Sequence, residues 1–219
     1  MPLAAVIFDM DGLLIDSERQ ANAAWAEAAR ELGRELPEEA LYRCVGVDEP
    51  GTRAIVLAAL GGDVDIAALA ARREAIGDAW TEARGMPLRP WAREMVEWVT
   101  ARGLPIAVAT SSARERTDWK LERAGLTGRF PVVCTRDDVT NPKPAPDVYL
   151  LAARGLGIDP AACLVFEDST PGARAALAAG MRVIVVPDMH TPPADVAAAA
   201  LAVLDTLADA PAVLAPLLP

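Results

Sequence analysis

Four carboxylic acids and two hydroxyls in this chain sit where short apolar runs end, and an ammonium lies in a loop that follows another such run. Asp9 and Asp11 close the run "AAVIFDMDG", Thr110 and Ser111 follow "LPIAVA", and Glu167 and Asp168 follow "CLVF". Lys143 stands between two prolines in "NPKPAP". In an extended strand, residues two apart point the same way, so the Asp9 and Asp11 carboxylates are expected to crowd one side. Like charges at that distance repel, and burial disfavours both ionised forms. Several carboxylates with few bases nearby read as a site for a hard cation. Mg²⁺ accepts two or three such oxygens, with waters and substrate phosphate completing its shell. The remaining groups suit phosphoryl transfer, which needs positive charge around the phosphoryl oxygens, donors that hold them and an in-line nucleophile. Lys143 and Mg²⁺ can give the charge, and the Thr110 hydroxyl and loop amides the donors. An Asp carboxylate can be the nucleophile, and a second acid can assist the leaving alkoxide.

These residues meet only if the elements carrying them share one edge of a sheet. Strand-type runs occur at 4–9, 104–110, 131–134, 163–167 and 182–187. They are continuously apolar rather than alternating, as suits strands covered on both faces. Between them the pattern predicts helices over Pro90–Arg102, with Trp91, Met95, Trp98 and Val99 on one face, and from Ser112, as a cap, to Gly125. Two more are expected over about 146–156 and from the Ser169-Thr170-Pro171 cap to Gly180. The tail from 194 onwards reads as a short helix, a strand near Leu201–Leu204 and a final helix. Such alternation predicts an α/β fold, a Rossmann-like doubly wound parallel sheet.

The span 17–86 differs, being almost purely helical with no β-type run within it. Ser17 and Gln20 match a capping box, and Ala21, Ala24, Trp25, Ala28 and Leu32 follow at helical spacing. Further helical pieces fall at about 37–44, 50–60 and 64–83. We therefore expect a core domain of residues 1–16 and 87–219 interrupted after its first strand by an all-helical cap domain, residues 17–86. Open α/β sheets bind ligands at the carboxyl ends of their strands, so an insert leaving there is expected to act as a lid.

Composition narrows the partners. The chain has 219 residues, 53% hydrophobic, with a formal net charge of -10. That balance argues against nucleic-acid and anionic-membrane partners. No apolar segment has the length of a membrane span, and "MPLAAVIF", interrupted by Asp9, lacks the basic start and long apolar stretch of a signal peptide. The three cysteines, Cys44, Cys134 and Cys163, suggest neither a disulfide framework nor a zinc site. A monomeric cytoplasmic protein is the expectation.

At these residues the sequence resembles the haloacid dehalogenase superfamily. Its four motifs appear in order, as Asp9-Met10-Asp11-Gly12-Leu13, "IAVAT" ending in Thr110, Lys143 in "NPKPAPDVYL", and "LVFEDS" with Glu167 and Asp168. The inserted helices are similar to the cap of the branch that holds beta-phosphoglucomutase and the small sugar-phosphate phosphatases. The resemblance implies Asp9 as nucleophile and Mg²⁺ ligand, and Asp11 as general acid/base whose backbone carbonyl also meets the metal. It implies Thr110 and Lys143 as phosphate-binding residues, with Ser111 beside them. Asp168 would bind the metal, and Glu167 would be a further ligand or an acceptor behind it. In the cap, "CVGVDEPGTRAIV" (44–56) resembles the substrate-specificity loop, and Arg53 and Arg73 are candidates for the far end of the substrate.

The activity expected is Mg²⁺-dependent hydrolysis of a small phosphorylated metabolite, a sugar or polyol phosphate, through an aspartyl phosphate. The alternative is a phosphomutase of the beta-phosphoglucomutase type. That enzyme carries a cap histidine where this chain has Ala21, which disfavours the alternative. A phospho-receiver module also gathers acids, Thr and Lys around Mg²⁺, but its acceptor Asp follows a middle strand and it lacks a helical insert. His190, Ser169, Thr170 and the five tryptophans read as surface, capping and core residues.

Overall fold

The computed structural model describes residues 2–45, 47 and 49–218. Gly46 and Asp48, within the stretch 44–56, lie outside the described residues. The chain divides into two compact units, Met1–Ile15 with Leu88–Pro219, and Asp16–Pro87.

The second unit holds four helices: α1 (Ser17–Glu31), α2 (Glu38–Cys44), α3 (Glu49–Leu60) and α4 (Ile66–Arg84). Ala24, Trp25 and Ala28 of α1 pack with Val56, Leu60, Leu69 and Ile76 in one apolar core. The expected capping box does not form. Asp16, not Ser17, precedes the helix, and no side chain caps it. The Gln20 amide is drawn instead to α4, donating to Gly77 O at 3.1 Å and Thr81 Oγ1 at 2.7 Å. A partner on a neighbouring helix has displaced the local one. Asp65 caps α4 by accepting from the Ala67 and Ala68 amides.

The first unit is a sheet of six strands: β1 (Ala5–Phe8), β2 (Ile106–Ala109), β3 (Val132–Cys134), β4 (Cys163–Glu167), β5 (Arg182–Val185) and β6 (Ala202–Val203). Their order is β3-β2-β1-β4-β5-β6, and every pair is parallel. With it lie α5 (Ala92–Thr100), α6 (Arg114–Arg123), α7 (Asp147–Leu156), α8 (Thr170–Ala178), α9 (Ala194–Ala199) and α10 (Ala210–Leu214). Every residue of β1, β2 and β4 is buried, which accounts for their unbroken apolar runs. This is the doubly wound architecture expected from the strand–helix alternation.

The strand order reverses at β1, leaving its carboxyl end beside that of β4, where such sheets bind ligands. Phe8 pairs with Phe166 in register, and their rings stack at 5.4 Å. The ladder runs one residue further, with the Asp9 amide donating to Phe166 O at 3.0 Å. Asp9 and Glu167 are thereby fixed at adjacent strand ends.

Two local expectations fail. Trp91 does not join the buried face of its helix. It takes the left-handed conformation (φ 65°) just before α5 and is 44% exposed, while Ala92, Met95, Val96 and Val99 are buried. Nor does Ser112 cap α6. Ala113 occupies that position, without a side-chain cap. Ser169 does cap α8, accepting from the Gly172 amide at 3.2 Å.

Candidate active site

One buried cation organises the strand ends. Lys143, whose side chain is 4% exposed, reaches from the loop before α7. It donates to Asp9 Oδ1 at 2.5 Å, Glu167 Oε1 at 2.8 Å and Ala109 O at 3.0 Å. A single ammonium thus ties together the ends of β1, β2 and β4. Its three protons are matched by three acceptors, which exhausts what a lysine can donate. Burial works against its charge, but the Asp9 and Glu167 carboxylates outweigh it and hold Lys143 protonated. Asp9 Oδ2 makes no hydrogen bond among the described residues, so one oxygen of that carboxylate is free to react.

Glu167 is fully buried, and its oxygens are occupied. Oε1 accepts from Lys143 and from the Tyr149 hydroxyl at 2.7 Å. Oε2 accepts from the Asp168 amide at 3.0 Å and from the Ser169 amide and hydroxyl, each at 2.9 Å. Burial works to push its pKa up, but Lys143 and these donors prevail and hold it below the usual carboxylate range. Close packing makes room for it: a Cβ on Gly172 would lie 1.5 Å from Glu167 Oε1. Five donors suit an anchor better than a metal ligand.

The remaining acids are under-neutralised. Burial drives the Asp9 carboxyl up to about 8, with Lys143 resisting and Glu167 and Asp11 adding to the rise. Burial, then Glu167 and Asp9, push Asp168 well above its ordinary value. Three carboxylates therefore share one ammonium, an arrangement that calls for another cation. Asp168 also lies over the first loop: a Cβ on Gly12 (φ 86°) would fall 2.1 Å from Asp168 Oδ2. Only glycine lets the Asp168 carboxylate approach the Asp9–Asp11 turn this closely. No group of three His, Cys, Asp or Glu side chains among the described residues forms a ready metal cage. Two carboxylates with main-chain, water and phosphate oxygens form the sparser set that Mg²⁺ accepts, so the residues fit that ion.

Asp11 is partly exposed and held from the loop and helix that follow β2. Ser112 Oγ donates to Asp11 Oδ2 at 2.7 Å, and Lys120 of α6 pairs with Asp11 Oδ1. Thr110 is 2% exposed. Its amide donates to Cys134 O at 3.0 Å, and its hydroxyl accepts from the Ser112 amide at 3.1 Å. Ser111 is exposed.

The two arginines belong to the helical unit. Arg73 lines a cavity of about 230 Å³ with Glu18, Asn22, Trp25, Glu49 and Thr52, its guanidinium 5.7 Å from the Trp25 ring centroid. Arg53 pairs with Glu49 and is not among the lining residues.

Sequence reasoning missed Tyr149, Ser112 and Lys120 as partners of the acids. Tyr149 follows Lys143 by six residues on the buried face of α7, where an aromatic residue reads as core. Lys120 lies in a strongly polar helix, "RERTDWKLER", where nothing marks one charged side chain as turned inward.

A family model for haloacid dehalogenase-like hydrolases matches residues 3–180. The chain belongs to this family. This haloacid dehalogenase-like hydrolase is 37% identical over 212 residues to Protein CbbY of Rhodobacter capsulatus, covering 91% of this chain and 92% of that one. It is 34% identical over 184 residues to fructose-1-phosphate phosphatase YqaB of Escherichia coli, covering 84% and 96%. A crystal structure of a HAD family hydrolase from Deinococcus radiodurans R1, with bound phosphate and sodium, superposes with a TM-score of 0.83. It has 32% identity and covers 98% of this chain and 96% of that one. With phosphatases among such relatives, the chain is a phosphatase-type hydrolase. No helix among the described residues is long and apolar enough to cross a membrane.

Proposed function

We propose that the chain hydrolyses a small phosphorylated sugar or polyol, with Mg²⁺ held by Asp9, Asp168 and the Asp11 carbonyl. The observation that carries this reading is the Lys143 ammonium bridging Asp9 and Glu167 at the switch point of the sheet. The bound cation would offset the repulsion among the acids and draw charge from the phosphoryl oxygens.

In the first half-reaction an Asp9 oxygen forms a bond to phosphorus as the bond from phosphorus to the ester oxygen breaks. Asp11 gives its proton to that oxygen, and the alcohol departs. Lys143, already protonated and aimed at Asp9, balances charge on the phosphoryl oxygens, and the Thr110 hydroxyl contributes a donor. In the second half-reaction water attacks the aspartyl phosphate. Asp11 takes the water's proton, phosphate leaves, and the Asp9 carboxylate returns. Glu167, with its oxygens satisfied, orients Lys143 and does not ligate metal. The helical residues 17–86 are read as the cap domain, with Arg53 and Arg73 its candidates for substrate selection. The free, buried thiols of Cys44, Cys134 and Cys163 suit the cytoplasm.

Hydrolysis is favoured over phosphoryl return because Ala21 offers no side chain able to move a proton for a mutase. The test is phosphate release across a panel of four- to six-carbon sugar and polyol phosphates with Mg²⁺, run beside Asp9→Asn. Release from at least one sugar phosphate that the variant does not support is expected. Conversion of beta-glucose 1-phosphate to the 6-phosphate without phosphate release would instead make it a mutase.

A further inference from the structure

Lys120 is an unusual lysine. It lies in the last turn of α6, a place where a basic side chain ordinarily extends into water beside the helix carbonyls. Here the side chain is only 12% exposed and spans 109 residues of sequence to reach Asp11 Oδ1, whose own side chain is 22% exposed. Ser112 Oγ meets the other oxygen, Oδ2, at 2.7 Å. Ser112 is free for this because Ala113 stands at the helix N-cap. Desolvating an ion pair seldom stabilises a fold more than an apolar pair of the same shape, so stability is a weak reason for an inward lysine here.

We infer that Lys120 is a positioning residue for Asp11, acting with Ser112 as a two-sided clamp on its carboxyl group. This rests on the reading of Asp11 as general acid. The clamp has a chemical logic. Lysine has donors and no acceptor, so Oδ1 stays a hydrogen-bond acceptor and the transferable proton is confined to Oδ2. The Ser112 hydroxyl both donates and accepts, so it can rotate and keep its contact whether or not Oδ2 carries that proton. The carboxyl plane is then fixed through both half-reactions, which matters because proton transfer tolerates little misplacement. Lys143 and Lys120 divide the work: one holds the nucleophile, the other the acid.

The experiment compares kcat/KM for an alkyl phosphate, whose leaving group needs a proton, with that for p-nitrophenyl phosphate, whose leaving group does not. kcat/KM isolates the first half-reaction. In Lys120→Met the ratio of alkyl to aryl kcat/KM should fall roughly 10- to 100-fold, and Lys120→Arg should recover most of it. Ser112→Ala, which removes no charge, should lower the ratio in the same direction but less. It decides the matter if Lys120→Met fails to fold. Asp11→Asn should lower the ratio most. A ratio unmoved by Lys120→Met or Ser112→Ala but lowered by Asp11→Asn overturns the clamp and leaves Asp11 as the acid. A ratio that Asp11→Asn also leaves unmoved overturns the reading beneath it.

Discussion

Lys143 Nζ lies 2.8 Å from Glu167 Oε1, and the Glu167 side chain has no exposed surface. A carboxylate placed so deep is tolerable only while its donors remain. Lys143→Met should therefore destabilise the fold by about 3–5 kcal/mol, because it leaves Glu167 charged and short of a partner. Adding Glu167→Gln to that variant should recover part of the loss, although both side chains are then changed. Urea denaturation of the two single variants and the double variant checks this, and additive effects would deny the coupling.

The same pair bears on metal binding. If Glu167 is an anchor and Asp168 a ligand, Asp168→Asn should weaken Mg²⁺ binding far more than Glu167→Gln does. Changes behind the ligands typically cost about 10- to 100-fold in affinity, and loss of a ligand should exceed that. Titration calorimetry with Mg²⁺ alone measures both, and equal losses would return Glu167 to the ligand set.

Gly12 makes a third case. Its φ of 86° costs an L-residue about 1–2 kcal/mol. A Cβ there would also stand 2.1 Å from Asp168 Oδ2. Gly12→Ala should fold with slightly lowered stability yet lose Mg²⁺-supported turnover almost entirely. Gly33→Ala, also at positive φ (69°) but with open space around the added carbon, should cost similar stability and keep activity. Comparing melting temperature with kcat in both variants separates backbone strain from displacement of Asp168.

The pH dependence follows from Asp9. Its folded value of about 8 exceeds the ordinary 3.8, so across that interval the folded chain keeps a proton that the unfolded chain has lost. Without a divalent cation, stability should fall as pH rises, with the penalty complete above about 8. Glu167 has the opposite shift, but its window lies near and below the ordinary carboxylate value. Mg²⁺ binds the deprotonated form, so its stabilisation should grow toward the upper end. Thermal melts in chelator and in Mg²⁺, from about pH 5 to about pH 8, should converge at low pH and diverge at high pH. A constant gap would count against carboxylates as the metal's ligands.

How much could be read beforehand depended on how local each signal was. The runs ending at Asp9, Thr110 and Glu167 are apolar because helices cover both faces of their strands, and that burial is visible in composition alone. Gly33, Gly103, Gly125 and Gly180 follow the helices they end for an equally local reason, the left-handed turn. The partners of the acids were not legible. Whether Ser112 caps a helix or meets Asp11, and whether Gln20 turns back or reaches Thr81, depends on which acceptor tertiary packing brings nearer. Lys120 and Tyr149 were hidden for the same reason. One sits in a polar helix and the other in an apolar one, and neither pattern reveals a hydrogen bond to a residue on another element.

In the proposed reaction Asp9 carries the phosphoryl group between the two half-reactions. Rapid acid quenching of enzyme mixed with a turned-over sugar phosphate and Mg²⁺, followed by peptide mass analysis, tests it directly. One added phosphoryl group on the peptide containing Asp9, absent in Asp9→Asn and in chelator, is the predicted result. Undiminished phosphate release by Asp9→Asn, or a phosphoryl group trapped on another residue, would contradict it.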